Sequence, residues 1–314
     1  MKGLEISKKF FFEYGKPMLE EKFSHLLPYI AVGLVGSGSE RYGYDDEVSR
    51  DHDFQPDFCI FIPDESIVDR KAEFELERAY YKLPKEYLGY KRSWVEAVGG
   101  GRRGVIRTAD FYKEKTGSSD GNLYKEQWLR IPEHYLLEAT NGEIFLDNLG
   151  EFSKIREKLS CFPEDIRLKK LAGNLLLMAQ SGQYNYPRCL RRKETASAQL
   201  AVYEFAKSAI NALFLLAKKY TPYYKWTFRA LREVSVEYSE ISEKLEFLIS
   251  SGNDNQTADE KSNIIQDVCK FILKELVNQN LTDEDKPEME LLSYQVNDKI
   301  ADAEIRNSHV LSAV

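Results

Sequence analysis

At 314 residues the chain is long for a single compact core, so two domains are expected. A hydrophobic share of 43%, with 19 Tyr, 17 Phe and 3 Trp, is that of a globular protein. The formal net charge of −7 argues against a general nucleic-acid binder and against a binder of anionic membranes, while leaving room for a local basic patch.

In chain order, residues 4–27 carry apolar side chains at helical spacing (Phe10, Phe11, Tyr14, Met18, Leu19, Phe23, Leu26, Leu27), which predicts a helix ended by Pro28. The apolar run 29–35 suits a buried strand. Residues 41–53 are polar and loop-like. A second short strand is expected at 58–62, stopped by Pro63. A charged helix with an apolar inner face follows at 67–81. Gly99, Gly100, Gly101 and Gly104 flank a basic turn at Arg102 and Arg103, read as an exposed hairpin that could hold phosphate. Residues 105–108 read as a strand, 109–116 as a short helix and 143–146 as the last strand.

From residue 162 onward the strand signal disappears. Helices are expected at 166–181, 196–220, 226–238, 258–278 and 287–310, with Pro287 in the first turn of the last and with Gly182, Pro187 and Pro222 punctuating the others. The fold class is therefore α+β: a mixed β-sheet domain with flanking helices over residues 1–160, then an all-α helical bundle over 161–314.

The cysteines Cys59, Cys161, Cys189 and Cys269 lie far apart with no CxxC pair, as reduced thiols of a cytosolic protein would. Residues 1–7 do not read as a signal peptide, and the longest apolar stretch, 209–217, is far short of a membrane span. A cytoplasmic protein with no membrane partner is expected.

The richest chemistry lies between the first two strands. Gly36-Ser37-Gly38-Ser39 forms a small turn after an apolar strand, and Asp51-x-Asp53 precedes the next strand. Small residues let backbone N–H groups approach phosphate oxygens, and two carboxylates one residue apart can grip Mg²⁺, a hard cation that keeps some ligands for substrate phosphates. Either half alone is an ordinary turn or surface pair. In this order the two suit a phosphate-handling, metal-dependent enzyme. His52 lies between the aspartates, where strand alternation would turn it away from both. Asp45, Asp46 and Glu47 could assist a metal or cap a helix.

Gly38-Ser39, Gly43 and Ser49-Arg50-Asp51-His52-Asp53 resemble the signature of the nucleotidyltransferase superfamily, with one residue inserted in the second part. The fuller string is also similar to the DUF4037 group, as are Gly-Gln-Tyr-Asn-Tyr-Pro-Arg at 182–188 and Tyr-Tyr-Lys-Trp at 223–226. The resemblance implies a nucleotidyltransferase-type sheet domain in which Gly38 and Ser39, with Arg41 beside them, hold the phosphates of an NTP, first of all ATP. It implies Asp51 and Asp53 as catalytic ligands of Mg²⁺, with Mn²⁺ as the alternative. It also implies a third carboxylate that deprotonates the acceptor. Spacing leaves Asp57, Glu96, Asp110, Glu133 and Glu138 open, and Glu138, just ahead of the last strand, is preferred.

In the helical half, Gln183, Asn185, Arg188, Arg191 and Arg192 fall in a polar, basic connector that could wall an anionic nucleotide or acceptor. Tyr223, Tyr224 and Trp226 could stack on a ring while Lys225 reaches a phosphate. Arg306-Asn307-Ser308-His309 has a faint likeness to the Arg-Asn…His motif of HEPN ribonucleases, with a shorter gap, and is read as a helix-end charge cluster.

The leading expectation is a nucleotidyltransferase acting on a hydroxyl of a small-molecule acceptor, with long nucleic acid the least favoured partner. The competing expectations are a non-catalytic nucleotide-binding or toxin–antitoxin-type module, and, with only four His, a weaker case for a phosphohydrolase.

Overall fold

The chain folds as α+β. The computed structural model describes residues 1–48, 55–92 and 103–314. Two units cluster separately: Met1–Gln127 with Tyr135–Ser160, and Trp128–His134 with Cys161–Val314.

The first unit opens with α1 (Gly3–Phe10), a π-helical turn (Phe11–Gly15) and α2 (Lys16–Lys22). Then come β1 (Ala31–Leu34), α3 (Ser39–Tyr42), β2 (Cys59–Ile62) and α4 (Arg70–Tyr81). A small hairpin, β3 (Glu86–Tyr87) and β4 (Tyr90–Lys91), leads to β5 (Gly104–Arg107) and α5 (Thr108–Thr116). The segments α6 (Lys125–Arg130), α7 (Glu133–Thr140), β6 (Glu143–Asp147) and α8 (Glu151–Lys158) follow. The main sheet has order β5-β2-β1-β6. β1 runs antiparallel to β2 and β6, with Val32 opposite Ile60, and β2 runs parallel to β5, with Cys59 opposite Gly104.

Phe10, Phe11, Leu19, Ile30, Phe58 and Ile60 meet in one buried cluster, joining the first helices to the sheet. Each such side chain contributes about 1.5–3 kcal/mol by leaving water. The helix expected over 4–27 forms over 3–22 and ends at Lys22, short of Pro28, with Phe23 leaving the helical conformation. Gly15 and Pro17 do not end it, because the π turn absorbs both. At the mouth of β2, Asp57 accepts from Arg92 Nε at 2.6 Å and from Tyr80 OH at 2.8 Å, while the Arg92 guanidinium sits between the Phe10 and Tyr80 rings. Burial first, then the Asp57 charge, keeps the Tyr80 phenol protonated well above its ordinary range.

The second unit is built on α9 (Glu164–Met178), which packs against α11 (Thr195–Leu216) and α15 (Met289–Asp298). Between α9 and α11 the helix runs through a π segment (Ala179–Asn185) into α10 (Tyr186–Arg191). The helices α12 (Thr227–Arg232), α13 (Val236–Ser250), α14 (Asn255–Asn278) and α16 (Ala303–Asn307) complete it. Beyond its first turn α9 is buried on nearly every side, Arg167, Lys169 and Lys170 included. Its Lys169 satisfies its ammonium on Asn297 Oδ1 (2.9 Å) and the Ser308 carbonyl (2.7 Å). The lone helix expected at 226–238 is two, because Ser235 accepts the Tyr238 N–H and starts α13. The helix expected at 287–310 starts at Met289 and breaks after Asp298, because Ala301 and Asp302 give their N–H groups to Asp165 of α9, both at 2.9 Å. Pro187 does not separate two helices, and the connector expected there is helical. All four cysteines are free thiols. No helix among the described residues is long and apolar enough to cross a membrane.

Candidate functional site

The turn after β1 is tied down by side chains from α3, α5 and the α7–β6 connection. Gly36 and Gly38 both take positive φ, +99° and +143°, which a side chain would strain. A Cβ on Gly38 would also collide with the Arg41 and Glu40 side chains folded over it. Asn141 closes the turn like a strand partner: it accepts from the Gly36 N–H and donates to the Gly36 carbonyl, both at 2.8 Å.

Three side chains, Ser37, Lys115 and Tyr42, converge on Glu138. Ser37 Oγ donates to Glu138 Oε2 at 2.6 Å. Lys115 Nζ, near the end of α5, donates to Ser37 Oγ at 3.0 Å and to Glu138 Oε2 at 2.9 Å. Tyr42 OH donates to the other Glu138 oxygen at 3.3 Å. The Lys115 and Glu138 side chains are each only 9% exposed, so their attraction is little screened. Burial first, then the Glu138 charge, holds the Tyr42 phenol far above its ordinary range, so it stays a donor at physiological pH. An ammonium at a glycine-rich turn, beside hydroxyls and a carboxylate, can receive phosphate oxygens and hold a proton acceptor close by.

The expected residues fare differently. Gly38, Ser39 and Glu138 gather at this turn. Arg41 does not face outward: its side chain is 1% exposed, with Nε on the Val35 carbonyl at 2.8 Å and Nη1 on Glu40. It organises the turn from inside. Asp45 caps α1, accepting the Gly3 N–H at 2.9 Å. Asp57 is committed to Arg92, and Glu133 belongs to the second unit, where it accepts the Thr221 N–H at 3.0 Å. Asp110 is exposed on α5. Arg188 and Arg191 share α10, and Lys225 lies in a short 3₁₀ turn (Tyr224–Trp226) of the same second unit. Asp51, Asp53, His52, Glu96 and Arg102 lie outside the described residues.

Among the described residues no three metal-ligating side chains gather at one point. Glu40, Asp57 and Glu138 each face a cation instead, which does not fit a Mg²⁺ site.

Residues 128–227 match the model of a family described as a domain of unknown function, DUF4037. The match contains both helical motifs, 182–188 and 223–226, that resemble that group, and it contains Glu138 and Asn141. The Gly36–Ser39 turn and Lys115 precede it. No curated protein and no solved structure matches the chain. Lys115 and Tyr42 had no sequence signal, since contacts across 78 and 96 residues of chain define them, and Ser37 had only its place in the glycine turn. Asn141-Gly142 had one: an Asn-Gly pair just before a strand marks a turn.

Proposed function

We propose that the chain is a Mg²⁺-dependent nucleotidyltransferase of the cytoplasm. It moves a nucleoside monophosphate from an NTP, ATP first, to a hydroxyl of a small acceptor. The observation that carries this reading is the Lys115–Ser37–Glu138 cluster built on the Gly36–Ser39 turn. The order of strand, Gly-Ser turn, acid pair and second strand in a small mixed sheet supports it, as does the helical unit that follows.

Ser39 and Lys115 would hold triphosphate oxygens. Phosphate competes with Glu138 for the Lys115 ammonium, which frees the carboxylate to take the acceptor's proton. The acceptor oxygen then bonds to the α-phosphorus as the bond to the β-phosphate breaks, and pyrophosphate leaves. Mg²⁺ held by Asp51 and Asp53 would neutralise charge on the phosphates.

Calorimetric titration with each of the four NTPs, with and without Mg²⁺, tests it. Wild type should bind one NTP. Lys115→Met should weaken binding about tenfold or more, the worth of a charge-assisted hydrogen bond. Asp51→Asn with Asp53→Asn should remove the metal dependence, and Glu138→Gln should keep binding but lose turnover. Absence of NTP binding by the wild type would end this reading.

A second reading, a non-catalytic nucleotide-binding or partner-binding module, is favoured by one observation. β5, the strand alongside β2, presents Val105, Ile106 and Arg107 and no carboxylate. Tight NTP binding with no product across an acceptor screen would select it.

A further inference from the structure

We propose that the α10 end of the second unit is a binding surface for single-stranded nucleic acid. This goes beyond nucleotidyl transfer and does not depend on it. Tyr184, at the outer side of the π segment, is 55% exposed, and the Arg188 guanidinium carbon lies 3.4 Å from its ring centroid. The pair is a preformed flat platform, with cation over π-face and one long side chain already ordered. Arg191, Arg192 and Lys193 follow and are all exposed. Among the described residues no carboxylate pairs with any of these four cations. In a chain of net charge −7 such an un-neutralised cluster is unusual.

The neighbouring helical stripe, Ser181, Asn185 and Cys189, lines a cleft of about 330 Å³ completed by Gln180, Ser197 and Glu204. Its amides and hydroxyls can meet base edges. Its one carboxylate repels phosphate but accepts from the exocyclic amine of adenine or cytosine.

Together these favour a ligand with three parts: a planar ring for the platform, phosphates for the arginines and amine-bearing edges for the cleft. Exposed base faces belong to single strands, since a duplex stacks them internally. An acidic peptide would use the cations and leave the platform idle. Arg188 and Arg191, expected from sequence on a mononucleotide, become backbone contacts.

Fluorescence anisotropy of a fluorescein-labelled oligoadenylate with the full chain tests this, without nucleotide or metal, so that its outcome is independent of the transfer reaction. Binding should weaken from roughly 50 to 200 mM salt, with a log–log slope of about −2 to −3 for three or four phosphates neutralised. Arg191→Glu with Arg192→Glu, both on the surface and checked by circular dichroism, should abolish it. Tyr184→Leu should weaken it about tenfold at unchanged slope, because a stack is lost and no charge. Oligouridylate should bind more weakly than oligoadenylate. Three outcomes overturn the proposal: no binding, tripolyphosphate competing as well as RNA with Tyr184→Leu inert, or a polyglutamate peptide competing as well as RNA.

Discussion

Each unit holds a π-helical turn, and the two are built alike but used differently. In the first unit the Lys16 N–H closes the wide turn on the Phe11 carbonyl; in the second the Tyr186 N–H closes it on the Ser181 carbonyl. Both are followed at once by proline, Pro17 and Pro187. An α-helix at these points would press the proline ring against the carbonyl one turn back and leave that carbonyl without an N–H donor. The wider turn moves that carbonyl aside. Each turn also brings a glycine onto a buried ring: a Cβ on Gly15 would lie 2.5 Å from Phe58 Cζ, and one on Gly182 would run into the Phe205 ring.

The loads differ. The first turn sends Phe11 into the core and leaves Glu13 to accept from Tyr87 OH at 2.8 Å, so it serves packing. The second turn lays out polar side chains. Gln183 donates to the Pro287 carbonyl at 2.7 Å and accepts the Met289 N–H at 3.1 Å, fixing the start of α15, while Tyr184 and Asn185 face solvent. One backbone device thus seats a hydrophobic core in one place and orders a surface in the other.

The largest effect should come from the close glycines. Gly15→Ala and Gly182→Ala should each destabilise by about 1–3 kcal/mol through overpacking, read from urea unfolding. Shrinking the ring in the second unit, Phe205→Leu, should recover part of the Gly182→Ala loss and show as coupling in a double-mutant cycle; strict additivity would mean that the contact does not hold the turn.

A smaller effect distinguishes the second turn. Tyr186, its closing residue, is buried and donates to Asn253 Oδ1 at 3.1 Å; desolvation, then the Asp259 charge, pushes its phenol up to about 12. A raised folded value means that stability is fully present below the unfolded value near 10 and is lost as pH rises through about 12. Tyr186→Phe should cost about 1 kcal/mol at neutral pH and flatten the fall in stability over that alkaline window. An unchanged alkaline limb would place the phenol in water.

The smallest effect belongs to the prolines. With the glycine–ring contacts in place, Pro17→Ala and Pro187→Ala should change stability by less than about 1 kcal/mol. They should leave helix content unchanged by circular dichroism. A gain of several kcal/mol would show that proline alone imposes the π turn.

Much of the α+β plan was legible in the residues. The strands at 31–34, 59–62, 104–107 and 143–147 sit within a few positions of apolar runs, and the two central ones, 31–34 and 59–62, are continuously apolar because they are buried on both faces. The acid-capped start of α4 and the long stripe of α11 follow from local pattern in the same way. Less visible were α3 and α6–α8, which are short and polar and draw their stability from contacts rather than periodicity.

At the turn, glycine chemistry at 36–39 marked the place and Glu138 was among the acids that spacing left open. Arg41 read as an outward cation, yet its inward course to Val35 depends on the fold of its own loop. So the sequence by itself determined where the buried strands and the long helices α4, α9, α11 and α14 form, that the chain has a sheet half and a helical half, and where a glycine turn interrupts them, since each is a local consequence of side-chain pattern and backbone freedom. Tertiary structure alone decided that Lys115 meets Ser37 and Glu138, that Asp165 breaks the last helix, and that Pro187 continues one. These outcomes turn on groups distant in sequence satisfying each other's buried charge or unpaired N–H, and no window of local sequence contains both partners.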